Sequence, residues 1–232
     1  MQTIWGMFST KFRILSVVVG TVMLGGGIML GKNLLSDGPA RFTIETTEGQ
    51  TVEVQVLEGE WGVEPRSEAG YRVEKVLLGN KVDVVGRGPL RNGSLRIEAG
   101  RVVMAEFRVE MAQLRTESDE RDRAFRERIM DTSRWPAAVF TLSEPILLEQ
   151  EATSDGLFTG EFTGTLQMRG RERSTTFQYQ ARYLSTGEIQ VVARTTAGFD
   201  QWGIENPSQP GVIVKESAEL EISLFLKKVK NP

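Results

Sequence analysis

Val103-Met104-Ala105-Glu106-Phe107-Arg108-Val109-Glu110-Met111 is the stretch that decides the fold. Val103, Ala105, Phe107, Val109 and Met111 alternate with Met104, Glu106, Arg108 and Glu110. Neighbouring side chains of an extended chain point to opposite faces, so this period of two predicts a strand with one face in a core and the other in water. The same pattern returns where Phe177, Tyr179, Ala181 and Tyr183 alternate with Thr176, Gln178, Gln180 and Arg182. It returns again where Leu220, Ile222, Leu224 and Leu226 alternate with Glu219, Glu221, Ser223 and Phe225.

Turn signals punctuate further strand candidates. Arg91-Asn92-Gly93 precedes Ser94 to Ile97, Ala99-Gly100 precedes the strand quoted above, Asp155-Gly156 precedes Leu157, and Thr186-Gly187 precedes Ile189. Strands joined by short turns form an antiparallel meander. About eight of them would hide their edges by closing into a barrel or stacking as a sandwich. One helix interrupts the meander: Thr116 or Ser118 can cap it, Asp119, Glu120 and Asp122 suit its positive N-terminal end, and Phe125 and Ile129 share a face. It is expected to end near Arg134-Trp135-Pro136, since proline disfavours helical geometry in the residue before it.

The chain has 232 residues, 40% of them apolar, enough for one sizeable core plus an appendage. A net charge of -3 argues against a surface built for nucleic acid. Cysteine and histidine are both absent, which excludes disulfides, thiolate nucleophiles, Ser-His-Asp triads and the usual zinc sites. No cofactor and no metal are expected.

Residues 14–31, from Ile14 to Gly31, carry no charge and would span about 27 Å as a helix, just enough for a hydrocarbon core of about 30 Å. Lys11 and Arg13 precede this run, so residues 1–13 are expected in the cytoplasm and everything beyond Lys32 outside it, with 14–31 as a single-pass signal-anchor. The alternative is a secreted or periplasmic protein released by signal cleavage. Residues 32–59 read as a linker in which Val52, Val54 and Val56 alternate as an extra strand would, residues 60–226 form the folded domain, and 227–232 a basic tail.

Trp61-Gly62-Val63-Glu64-Pro65-Arg66-Ser67 followed by Tyr71, then Val85-Gly86 and Gly93-Ser94-Leu95, then Thr116 with Arg121-Asp122, make an ordered set. Trp135-Pro136-Ala137-Ala138-Val139-Phe140, Gly164-Thr165-Leu166-Gln167-Met168-Arg169-Gly170, and Gly198-Phe199-Asp200 with Gly203-Ile204 complete it. Together they resemble the YceI-like family of exported, lipocalin-like barrels associated with polyisoprenoids and other long apolar molecules. Glu64 stands where that family usually has aspartate, and Arg66 where histidine is common, so no role of that histidine carries over. Gly59-Glu60-Trp61 is also similar to the Gly-x-Trp that opens the first strand of lipocalins, where a tryptophan plugs one barrel end.

The resemblance implies an all-β protein, an antiparallel eight-stranded lipocalin-like barrel with one short helix inserted, and here an N-terminal transmembrane helix before it. It implies a binding protein rather than an enzyme, with an isoprenoid, an isoprenoid quinone or another long-chain lipid as partner, and it allows a homodimer. The interior of such a barrel holds either its own side chains or one slender ligand. The inward positions expected to line it are Phe107, Val109, Phe158, Phe162, Leu166, Phe177, Tyr179, Ile222 and Leu224, with Arg121 as a headgroup contact if the helix crosses the mouth. Two rivals stand beside this reading. One is a non-catalytic envelope protein whose barrel is filled solid. The other is a hydrolase using the carboxylates of Asp119, Glu120, Asp122 and Glu127, with Asp200 as an opposing partner.

Overall fold

The computed structural model describes residues 38–45, 52–148 and 156–229. The expected membrane helix over 14–31, the residues before it and Lys230 of the basic tail lie outside the described residues. Among the described residues no helix is long and apolar enough to cross a membrane.

The described strands form one antiparallel sheet that closes on itself. β1 (Gly59–Val63) and β2 (Glu68–Leu77) are two lengths of one long strand, and β3 (Asn80–Pro89) and β4 (Asn92–Glu98) are two lengths of the next. β5 (Arg101–Glu110) follows, then β6 (Ala137–Leu142) with β7 (Ile146–Leu147), both on the same edge of β5. β8 (Leu157–Met168), β9 (Arg171–Tyr183) and β10 (Glu188–Gly198) are unbroken, and β11 (Val212–Val214) leads into β12 (Ser217–Lys228). β12 pairs with β10 on one edge and with β1 and β2 on the other, so the sheet reads as eight long strands in a closed up-and-down barrel. The expected barrel is therefore what forms, and the sandwich is not.

Tight turns need residues that tolerate positive φ, and Ala99-Gly100 (φ 48° and 71°) and Arg169-Gly170 (φ 51° and 69°) supply two of them. Arg91-Asn92-Gly93 is not a hairpin turn, because it falls at the break between β3 and β4; the hairpin turns instead at Leu78-Gly79. The strand that opened the sequence reading also carries one shift of phase. Arg96 pairs with Met104 but Ile97 with Val102, which leaves Val103 as the extra residue of a bulge. Val102, Ala105 and Phe107 are consequently the buried set, and Val103 is not among them.

The valines at 52, 54 and 56 do not make a strand. Val54–Leu57 is a single helical turn, α1. An added strand needs a free edge, and β1 already has β4 on one side and β12 on the other. The inserted helix, α2 (Asp119–Ala124), is capped by the Ser118 hydroxyl, which accepts from Arg121 N, and continues as a wide turn over Phe125–Ile129. It stops earlier than the proline rule predicted, because Asp131 enters the left-handed region at φ 47°.

The outward face of β2, β3, β10 and β12 is polar yet covered. Residues 38–45 lie along it as a strap held by side chains: Arg72 donates to Pro39 O at 2.6 Å, Gln190 Nε2 to Thr43 O at 3.2 Å, and Glu45 N donates to Gln190 Oε1 at 2.8 Å. Under it Glu221 is wholly buried, 2.7 Å from the Arg87 guanidinium. A buried charge persists only with such a partner.

Candidate functional site

Inward alternation on every strand fills the barrel unevenly. An apolar cavity of about 100 Å³ remains at one end. It lies beside the Ala99-Gly100 turn, with Ile97 and Val102 on its wall, and beside the β9–β10 turn, with Tyr183 and Ile189 on its wall. Among the described residues no polar surface faces into it.

Six of the nine expected lining residues meet there: Phe107, Phe158, Phe162, Tyr179, Ile222 and Leu224. Val109, Leu166 and Phe177 do not. Phe177 is buried but stacked behind Phe162 at 5.4 Å, and Phe140 closes the cluster at 5.4 Å from both. These rings form a floor. Leu166 pairs across the sheet with Phe140 and packs in the filled part of the core, while Val109 sits near the far end of β5, opposite Ala138.

Several lining residues were within reach of the sequence pattern. Ala181 and Tyr183 continue the inward phase of Tyr179, and Val191 and Ala193 face them from β10. Leu57 was not within reach, because its segment reads as a linker. It lines the cavity from α1, which is pinned where the Trp61 indole Nε1 donates to Leu57 O at 2.8 Å. Trp61 is 1% exposed and meets Tyr183 edge-on at 6.4 Å, so the tryptophan plug implied by Gly59-Glu60-Trp61 is present at the cavity end. Among the described residues Arg182 is the one charged lining residue; its guanidinium donates outward to Glu45 O at 3.4 Å.

Arg121 is not at this mouth. β5 starts at the cavity end and finishes at the other, and α2 follows it there. Arg121 donates to Glu117 Oε1 at 2.9 Å, an i, i+4 pair, so the expected headgroup contact is replaced by a helix ion pair. Burial works against ionisation of the Glu117 carboxyl, but the Arg121 hydrogen bond and charge win and hold it below its usual range. Arg66 also lies outside the barrel, bound to Glu188 at 2.7 Å and stacked on Phe225.

The carboxylates of the hydrolase reading do not assemble. Asp119, Glu120 and Glu127 are exposed, and Asp200 sits exposed in a short turn. Asp122 is 2% exposed, but its Oδ1 accepts from Thr116 N at 2.8 Å and from the Thr116 hydroxyl at 2.9 Å. That is a structural latch between α2 and the chain before it. Next to it, burial and the Asp122 charge push the Tyr71 phenol well above its ordinary range, and the Tyr71 ring stacks on Phe125 at 4.9 Å. Among the described residues no group of acidic side chains is placed to hold a metal ion.

With this geometry in view, the comparisons with known proteins are specific. Residues 61–226 match the YceI-like domain family. The fold is similar to that of a polyisoprenoid binding domain from Saccharophagus degradans implicated in plant cell wall breakdown, at 15% identity and TM-score 0.55, over 73% of this chain and 98% of that one. Weaker likeness extends to BcnA of Burkholderia cenocepacia, at 13% identity and TM-score 0.48 over 67% and 95% of the two chains. It extends also to the YCEI protein of Campylobacter jejuni, at 12% identity and TM-score 0.43 over 82% and 94%. No curated protein matches the chain by sequence.

Proposed function

This chain belongs to the YceI-like family, and from that premise we propose that it binds a long apolar molecule, a polyisoprenoid, isoprenoid quinone or similar lipid, for carriage or storage. The observation that carries the reading is the cavity whose exposed inner surface is apolar, set at one end of an otherwise filled barrel. A similar fold in a polyisoprenoid binding domain supports the same class of ligand. Burial of roughly 100 Å² of apolar ligand surface contributes about 2.5 kcal/mol, so an extended chain needs few polar contacts. In the same proposal the barrel works outside the cytoplasm, tethered by residues 14–31.

The cavity volume, about 100 Å³, favours one rival: a filled, non-catalytic barrel. Pockets that hold drug-sized ligands run from about 300 Å³ upward. On the lipid reading the mouth must therefore widen, and α1 is the short piece there: four residues without a side-chain cap, tied by the Trp61 indole on Leu57 O and by Lys228 Nζ on Val56 O. The two readings separate in a titration of residues 38–232, which form one compact unit, with solubilised polyprenol. Binding to the folded state raises the unfolding temperature in proportion to the logarithm of ligand concentration. No rise at saturating polyprenol would leave the filled barrel as the account.

A further inference from the structure

The outer side of the cavity mouth carries a surface that lipid binding alone does not explain. α1 turns Leu57 into the cavity and Val56 out, leaving Val56 48% exposed; Val229, on the strand end beside β1, is 46% exposed. Lys227 and Lys228, exposed, directly precede Val229 in the chain. Lys228 is also the tie between this surface and the plug, since its Nζ donates to Val56 O at 3.1 Å and lies 5.9 Å from the Trp61 ring. Two acids of the same rim are already engaged: Glu58 Oε1 accepts from Gly100 N at 3.0 Å, and Glu98 is 3.4 Å from Arg96. Exposed Glu53, just before α1, and exposed Glu60 are left against the two lysines.

We propose that this mouth is the face the protein sets against an anionic phospholipid bilayer. The inference rests on the lipid-binding reading and adds the partner surface to it. Exposed valines beside lysines match the boundary between headgroups and acyl chains, the valines entering it and the ammonium groups meeting phosphate. A phosphate oxygen is a stronger acceptor for an ammonium than a neutral carbonyl, so contact draws Lys228 away from Val56 O and removes one of the ties on α1, leaving the Trp61 indole on Leu57 O, at the moment the mouth faces a source of lipid. The arrangement also suits the cargo. With no polar surface of the described residues exposed into the cavity, an apolar chain moves in or out at least cost where water is already excluded.

The chain has no cysteine, so one introduced thiol gives one label. The test places an environment-sensitive dye on the full chain at Val56→Cys, or at Leu78→Cys in the exposed β2–β3 turn of the opposite end, and adds phosphatidylcholine vesicles with or without phosphatidylglycerol. The expected result is a blue shift and loss of aqueous quenching at position 56 only, larger with phosphatidylglycerol, and lost when Lys227→Gln and Lys228→Gln are combined. A label at 56 that stays in water, or a shift at 78 instead, overturns the docking face. If such a protein still gains stability from polyprenol, the docking face alone has failed; if it gains none, the lipid-binding reading fails with it.

Discussion

At the scale of single residues, Asp122 and Tyr71 illustrate what a sequence conceals. Asp122 reads as one of three acids placed for a helix dipole, yet it is a buried acceptor that satisfies Thr116 N. That amide lies only six residues before it, but the contact depends on the turn between Thr116 and Ser118, which composition of the first helical turn does not reveal. Asp122→Ala strands a buried donor and should cost about 1–3 kcal/mol, seen as a lower denaturant midpoint with an unchanged slope. Tyr71 supplies a pH prediction. Its phenol is raised in the folded state, so the unfolded chain releases this proton first as pH climbs past its ordinary value near 10. The stability it contributes is complete below that value and declines above it. Tyr71→Phe keeps the stack on Phe125 and should flatten the fall in unfolding temperature above about pH 10; an identical fall would remove Tyr71 as its source.

At the scale of elements, alternation predicted the strands well and their phase less well. The quoted strand was legible because polar and apolar residues interchange from Ala105 to Met111, but one bulge at Val103 moved the buried set to Val102, Ala105 and Phe107. A bulge is fixed by pairing with β4, which no single strand records. α1 was misread for a similar reason: three alternating valines look extended until the closed sheet leaves them no edge. The join between the β2–β3 hairpin and α2 is narrow enough to test. A Cβ on Gly86 would lie 2.5 Å from the Tyr71 ring, which is already held by Phe125. Gly86→Ala should therefore destabilise the protein by about 1–3 kcal/mol in denaturant unfolding. A neutral Gly86→Ala would mean that the ring has room to move.

At the scale of the whole molecule, eight strands, their antiparallel order and the inserted helix could be read from period, turns and the resemblance of ordered segments. The boundary between full and hollow could not, because inward Phe and Val look alike in both; the floor made by Phe140, Phe162 and Phe177 depends on ring orientations set by three strands at once. The covered outer face was equally hidden, since Glu221 alternates as a solvent-facing residue and is in fact enclosed with Arg87. Ala193 offers a way to act on the hollow part alone. It lines the cavity from β10, and Ala193→Phe should fill the space for an overpacking cost of about 1–3 kcal/mol while the barrel still forms, checked by circular dichroism. The most direct test of the central claim is to purify residues 38–232 from an exporting host without detergent, extract with organic solvent and weigh the extract by mass spectrometry. The account predicts one long apolar molecule in near-stoichiometric amount, absent from Ala193→Phe; an empty extract from the native sequence, or the same molecule in equal amount from Ala193→Phe, would contradict it.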